Sequence, residues 1–436
     1  MQREFRKRRQ QLMRTMGPGA AAILPAASAL YRSRDIPHPY RQDSDFWYLT
    51  GFPEPEAVMV LVPGRVQAEY ILFCRERDPE GEAWEGERAG PDGACERYGA
   101  DDAFPIADLD EILPGLLEGR ERIFYPMGRQ PDFDRRVTAW VKHLKERGEG
   151  GNEAHEIVAL DHVLQDMRAY KSAAELRCIR QAVDISVEAH LRAMRYCRPG
   201  QWEYSVAAEI LHEFQARGLE PAYPCIVAGG GNACVLHYTA NNQRLRDGDM
   251  LLIDAGCEYR MYAADVSGSF PANGRFNREQ QALYELVLAA RDAAFTRLYP
   301  GASWNDSHLA VVETLTQGLV DLGILSGPVE QQLAEGAYRP FFRHRTGHWL
   351  GLDVHDVGEY RIDGQWRELE TGMVLSVEPG LCIPAGTPGV DERWWGMGIR
   401  IEDDLVITAD GHDCLSSGMP RTVSEIESFM AGSHAA

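Results

Sequence analysis

The chain has 436 residues, 44% hydrophobic and 25% charged, which is enough for two globular domains with buried cores. Its formal net charge of -21, with Lys and Arg concentrated only in the first ten residues, disfavours nucleic acid or an anionic membrane as a partner. No apolar run reaches the roughly 18 residues that a membrane-spanning helix needs, and nine cysteines without a CxxC pair predict neither a zinc knuckle nor a disulfide framework, which fits a reducing cytoplasm.

The basic start, MQREFRKRRQQLMRTM, imitates a secretory leader. Phe5, Leu12, Met13 and Met16 nevertheless fall near one helical face, and the following AAAILPA is short and interrupted by Pro25, so an amphipathic helix and a first strand are predicted. Residues 20 to 125 alternate short apolar runs (57–62, 70–74, 122–126) with Gly/Pro-rich turns and one helical stretch near 106–118, the pattern of a small α/β domain. The polar KERGEGGNEAHE at 145–156 reads as a loop near a boundary, placing an N-terminal domain at 1–170 and a second at 171–436. Ser172 and Glu175 form a capping box that opens a long helix ended by Arg198, Pro199 and Gly200. Further helices are predicted over 202–217, 278–298 and 303–322, the last two capped by Asn277 with Gln280 and by Ser303 with Asp306. Mixed with hairpins, they indicate an α+β domain. GGGN at 229–232 lacks the residues of a phosphate loop and reads as a turn.

Chemistry concentrates in the second domain. LLIDAGCEYRMYAADVSGSF, 251–270, reads as two strands around a turn centred on Tyr259 and Arg260, a register that sets Asp254 directly opposite Asp265. Glu378 ends the apolar run 373–377, and Glu402 lies inside what reads as one continuous strand over 398–407. Carboxylates in apolar surroundings must be paired, bind a cation or take up a proton. Arg400 can compensate one of the four charges, and two divalent cations would neutralise all of them. HRTGHWLGLDVHDVG, 344–358, places His344, His348 and His355 at spacings of four and seven, but Gly347, Gly351 and Gly358 predict an irregular loop and not a helix. His348 offers a nitrogen ligand beside the four carboxylates, a donor set that suits manganese better than a thiolate-seeking ion.

The ordered set of DAG with an aspartate eleven residues later, HWLGLDVHDVG, SVEPG and GIRIED resembles aminopeptidase P, the Xaa-Pro aminopeptidases with a pita-bread fold. RSRDIPHPYRQDSDFWYLTGFPEPEAV, 32–58, resembles the N-terminal domain of the same family, so nearly the whole chain is covered. The resemblance implies a pita-bread metallopeptidase domain behind a smaller α/β domain. It also implies hydrolysis of the bond between an N-terminal residue and a following proline by a hydroxide bridging two metal ions, most naturally Mn²⁺. Asp254 would chelate one ion, Asp265 and Glu402 would bridge both, and His348 and Glu378 would hold the other. Glu378 would act as general base, while His355, His344 and His237 would contact substrate, the oxyanion or moving protons. Trp84 matches a stretch that in related tetramers reaches a neighbouring active site, which implies a homo-oligomer, dimer or tetramer, with Trp84 lining the partner's proline pocket.

Two departures from the family pattern stand out: Cys382 where a tyrosine is common, and Ser267, Gly268 and Ser269 where Thr-Arg-Thr is common. Prolidase, which takes Xaa-Pro dipeptides, is the enzymatic alternative, and a non-catalytic pita-bread binding protein is the other. A prolidase needs a cation to clamp the terminal carboxylate. Arg400 reads as the one arginine within the ligand motifs, and Asp35 is its expected acid partner, which would leave no such cation free.

Overall fold

The computed structural model of the chain describes residues 1–147 and 156–434. It divides into two compact units, Met1–Met167 and Arg168–Ala436. Of the segment expected to form the boundary loop, residues 148–155 lie outside the described residues.

In the first unit the helix Gln2–Met16 buries Phe5, Leu12 and Met16, the stripe the sequence pattern indicated. Six strands form a mixed sheet in the order Asp102–Pro105, Tyr70–Cys74, Val58–Leu61, Ala20–Pro25, Arg122–Tyr125, Glu156–Ala159. Leu109 and Leu113 from the helix Leu109–Leu117, with Val137 and Trp140 from Pro131–Arg147, close a core against Ile23, Val60, Ile71 and Ile123. Trp84 lies in the short helix Pro79–Glu85 and is 90% exposed. An indole left so open presents a large apolar surface to solvent.

In the second unit the expected capping box at Ser172 forms, and the expected caps at Asn277 and Ser303 are capping boxes too, opening the helices Ala173–Tyr196, Arg278–Phe295 and Trp304–Asp321. Each satisfies N–H groups that the first helical turn otherwise leaves unpaired. A helix pair followed by a three-stranded sheet occurs twice. Ala173–Tyr196 and Glu203–Gln215 precede the sheet of Ile226–Gly229, Met250–Asp254 and Ser267–Pro271, while Arg278–Phe295 and Trp304–Asp321 precede that of Val374–Val377, Asp403–Thr408 and Gly411–Cys414. The fold is thus α+β.

The hairpin register differs from the expected one. Asp254 pairs with Ser267, and Tyr259 pairs with Tyr262, so the turn centres on Arg260 and Met261. Both turn residues have positive φ, 53° and 69°, as the tight mirror-image turn of a hairpin requires. Moving the turn by one residue moves the pairing by two, so Asp265 stays on the face of Asp254 but as a diagonal neighbour. Direct opposition of the two charges is avoided. In this register Gly256 faces Asp265, and a Cβ there would lie 1.8 Å from the Ala264 carbonyl oxygen.

The run expected as one strand over 398–407 is two. Met397–Arg400 pairs with Gly380–Ile383, Asp403–Thr408 pairs with Val374–Val377, and Glu402 sits at the changeover. Its N–H leaves both ladders and donates to the Ser267 carbonyl at 3.1 Å. The histidine segment is irregular, as its glycines predict, yet firmly pinned: Leu350 N–H donates to Val374 O (3.1 Å), Ser376 N–H to His348 O (2.9 Å) and Glu378 N–H to Thr346 O (2.7 Å). Gly347 permits this approach, because a Cβ would stand 1.9 Å from the Ser376 carbonyl oxygen. Behind the Asp254 strand, fully buried His190 donates from Nε2 to Ala255 O at 3.0 Å.

Two predictions follow from this packing. Gly256→Ala forces backbone apart at the hairpin and should cost ~3 kcal/mol or more; a urea midpoint indistinguishable from wild type would contradict the register. Burial pushes His190 down to about 4, below its usual value near 6.5. The folded state therefore holds it neutral, and its contribution is constant above pH 6.5 and is lost as pH falls through the window from 6.5 to 4. That loss should reach ~2 kcal/mol by pH 5. Comparing urea midpoints of wild type and His190→Gln at pH 7.5, 6 and 5 checks it: the gap should change in favour of the variant below pH 6.5, and parallel profiles would refute it.

Candidate metal centre

The two sheets bring Asp254, Asp265, Glu378, Glu402 and His348 to one place. Ligand atoms of Asp254, Asp265 and Glu402 lie within 4.8 Å of one another, and so do those of His348, Glu378 and Glu402 and those of Asp265, His348 and His355. Glu402, Asp265 and His348 each belong to two of these groups. Asp254, Asp265 and Glu402 are buried, with at most 8% of their surface exposed.

Such a cluster is under electrostatic stress. Burial raises Glu402 well above its usual range, and repulsion from Asp265, Glu378 and Asp254 adds to it. Burial also raises Asp254, against the pull of Arg400. Glu378 is pushed up to about 7 by burial, with Asp265 and Asp254 adding and His348 and Arg400 opposing. Burial resists ionisation of Asp265 too, yet His348 and Tyr223 hold it below the ordinary range. Protein cations alone leave part of this charge uncompensated.

The donor geometry fits metal ions. His348 Nδ1 lies 2.9 Å from the Trp349 carbonyl oxygen, which only accepts, so Nδ1 carries the proton and Nε2 presents its lone pair. That Nε2 faces Asp265 Oδ2 at 3.3 Å and Glu378 Oε1 at 3.9 Å. A lone pair aimed at two carboxylates is repulsive unless a proton or a metal stands between. Burial opposes that proton, but Asp265 and Glu378 still raise the ring to about 9. Similarly, the Tyr223 hydroxyl lies 2.6 Å from Asp254 Oδ1 and 2.7 Å from Asp265 Oδ1, and one O–H donates fully to only one of them. Oxygen-rich ligation with one imidazole belongs to hard or borderline divalent ions.

Arg400 resides beside this cluster, but with a different partner from the one expected. Its Nη2 forms a short ion pair with Asp254, not with Asp35, and its Nε donates to Ser267 Oγ at 3.0 Å. Ser267 in turn donates to Glu402 Oε2 at 2.7 Å, so the serine at a position where the family commonly has threonine retains the useful hydroxyl. The reason for the Asp254 pairing is register: Arg400 opposes Gly380 across its ladder, and its backbone N–H meets Ser269 Oγ at 3.0 Å, which lays its side chain along the Asp254 hairpin.

Several supporting residues escaped the sequence reading. Arg421 donates to Ser267 O (2.7 Å), Glu402 O (2.5 Å) and Asp403 Oδ1 (2.7 Å), clamping the backbones of both ligand strands. Its Nη1 lies 4.0 Å from where a Gly268 Cβ would be, so a guanidinium is still present at that departure from the family pattern. Buried Asp404 accepts the Asp265 N–H at 2.9 Å and is pushed well above its range by burial and by Asp265. Asp356, next to His355, is held by Lys171 Nζ at 3.1 Å and by Arg168.

The cluster forms part of a cavity of about 750 Å³, whose lining also includes His237, His344, His355, Arg345, Arg361 and Trp366. Arg345 sits between His344 and His348, so Arg400 is not the one arginine in the ligand motifs; the identity was legible, its direction into the cavity was not. His344 Nδ1 lies 2.8 Å from Arg345 O and 3.5 Å from Glu378 Oε2, and burial lowers the ring to about 4. His355 packs edge-on to His348 with ring centroids 4.3 Å apart and is lowered by burial and then by His348. Both are neutral imidazoles at pH 7.

Known proteins resemble this chain along nearly its whole length. Residues 5–125 match the family model for the aminopeptidase P N-terminal domain, and 177–409 match metallopeptidase family M24. Xaa-Pro aminopeptidase of Escherichia coli K12 is 44% identical over 431 residues, covering 98% of this chain and 97% of that one. The Haemophilus influenzae Xaa-Pro aminopeptidase is 42% identical over 428 residues, with coverage of 98% and 97%. Pseudomonas aeruginosa aminopeptidase PepP superposes with a TM-score of 0.99 at 55% identity, over 100% of this chain and 99% of that one. Zinc-substituted E. coli aminopeptidase P in complex with product gives 0.96 at 43%, over 99% of each. Matches of this identity and coverage place the chain in the M24 metallopeptidases, as a divalent-metal-dependent hydrolase of the aminopeptidase P, or Xaa-Pro aminopeptidase, group.

Proposed function

We propose that this centre holds two divalent ions, manganese by preference, and removes an N-terminal residue that precedes proline. The observation that carries the reading is that the ligand atoms fall into three overlapping groups of three, linked through Asp265, His348 and Glu402, which is more donors than a single ion takes up. Asp254 would hold one ion, Asp265 and Glu402 would be shared by both, and His348 with Glu378 would hold the other. Bound there, the ions supply Lewis acidity for the scissile carbonyl and make a water acidic enough to attack it.

The chain's own groups handle protons and orientation. Glu378, at the edge of the cluster on the cavity wall, can accept a proton at one side of the reaction and return it to the leaving nitrogen at the other. His344 holds its Nδ1–H on the Arg345 carbonyl with Glu378 Oε2 3.5 Å from the same nitrogen, so the ring stands beside the Glu378 carboxylate and can help to orient it. His355 and His237, both on the cavity wall, are placed to donate to the developing oxyanion or to the substrate carbonyl. Arg400 pairs with Asp254 and opposes the burial that disfavours its charge, and Asp254 would attract the substrate's free amino group.

Two finer assignments go with this reading. The nine cysteines are free thiols, which suits a reducing cytoplasm; recovery of the native protein from an oxidising compartment would contradict that. The open Trp84 supports a homo-oligomer in which a partner covers it and borders its proline pocket. A fully active monomer in sedimentation would refute this.

Arg345 and Arg361 in the cavity make the dipeptide alternative worth a direct test, since either could in principle clamp a terminal carboxylate. The expected outcome is a higher kcat/KM for Ala-Pro-Ala than for Ala-Pro under the same manganese loading. A dipeptide preference of about tenfold, ~1.4 kcal/mol in the transition state, would move the assignment to prolidase. Glu402→Ala, which disturbs both ions, should reduce turnover by orders of magnitude in the same assay.

A further inference from the structure

Arg345 and Arg361 line the same cavity as the carboxylate cluster but have no carboxylate partner among the described residues. Their guanidinium carbons stand 4.6 and 4.0 Å from the centroid of one indole, that of Trp366. The stack is fixed by the small hairpin Arg361–Ile362/Gln365–Trp366, in which Arg361 is paired directly with Trp366. Asp363 and Gly364, with φ of 50° and 78°, make its turn. Arg345 donates from Nη2 to the neutral Asn305 Oδ1 at 2.5 Å. Among the described residues no carboxylate forms a salt bridge with either arginine, in a chain with 66 acidic residues against 45 basic ones. Cation–π contact spreads the two charges over one ring but does not neutralise them. An anion bound between or beside them would.

We propose that Arg345 and Arg361 bind a carboxylate carried by the substrate beyond its proline: the chain terminus of a tripeptide, or the side chain of an Asp or Glu in third position. The proposal rests on the Xaa-Pro reading, in which the scissile bond lies at the cluster and the leaving peptide runs along the rest of the same cavity. Charge fixes the direction. The two guanidinium groups repel the free amino group and attract an anionic third residue, while the cluster, neutralised once its ions are bound, adds no repulsion of its own. Planar guanidinium forks beside an aromatic face are well matched to a carboxylate. The pair thus works as a specificity element for the residue after proline and helps to align the peptide.

The test compares matched peptides on manganese-loaded full-length protein: Ala-Pro-Asp-amide against Ala-Pro-Asn-amide for a side-chain carboxylate, and Ala-Pro-Ala against Ala-Pro-Ala-amide for a terminal one. At least one anionic member should be favoured in kcat/KM by about fivefold or more, with the preference shrinking at high salt. Which pair shows it identifies the source of the carboxylate. In Arg361→Gln and in the double variant with Arg345→Gln the ratio should fall toward one, and because each ratio is taken within a single variant, altered folding or metal content cancels. Equal rates within both pairs in the wild type, or a preference that survives the double substitution, overturns the proposal. Hydrolysis of the neutral Asn amide separately tests the Xaa-Pro reading beneath it.

Discussion

Four carboxylates that two sheets force into one cavity repel each other, and the second unit is built around containing that repulsion. Asp254 and Asp265 lie on one hairpin, Glu378 follows one strand of the other sheet, and Glu402 sits where the chain changes ladders. Like charges in a poorly solvated site cost several kcal/mol unless compensated. The surroundings supply only part of the compensation. Arg400 answers Asp254, Tyr223 shares its hydroxyl between Asp254 and Asp265, and His348 faces Asp265. Glu378 and Glu402 are left raised in pKa, a pattern typical of sites that accept cations.

Rigidity is what allows such a cluster to persist. The ligand-bearing backbones are tied to one another and not merely to their own strands. Arg421 holds the carbonyls of Ser267 and Glu402, Glu402 N–H reaches Ser267, and Asp404 takes the N–H of Asp265. The histidine segment is tied down through Thr346, His348 and Leu350. Mutual repulsion therefore cannot be relieved by splaying the strands, and the charge remains available for ligands. Removing a backbone clamp such as Arg421 acts on the same cluster through geometry instead of through charge.

Much of this was legible in the sequence, because the strongest signals were local chemistry. Capping boxes at Ser172, Asn277 and Ser303 marked helix starts correctly, and glycines in 344–358 correctly argued against a helix. Acids at the ends of apolar runs singled out residues that do converge. What failed depended on register and direction. The hairpin turn falls one residue later because Arg260 and Met261 adopt positive φ without a glycine to announce it. The 398–407 run breaks at Glu402 because an intersheet hydrogen bond, invisible to periodicity, competes with the ladder. Arg400 takes Asp254 and not Asp35 because its ladder with Gly380 and its N–H bond to Ser269 lay it along the Asp254 hairpin, and Tyr223, Asp404 and Arg421 act from outside any motif.

Metal uptake by the stripped protein tests the account most directly. Isothermal titration with manganese, alongside elemental analysis after gel filtration, should give two ions per chain, with protons released on binding because Glu378 and Glu402 are held partly protonated without metal. Thermal stability should rise with manganese concentration as the repulsion is neutralised. One ion or none at full activity, or uptake without proton release or stabilisation, would contradict the claim that the cluster is held together for two cations.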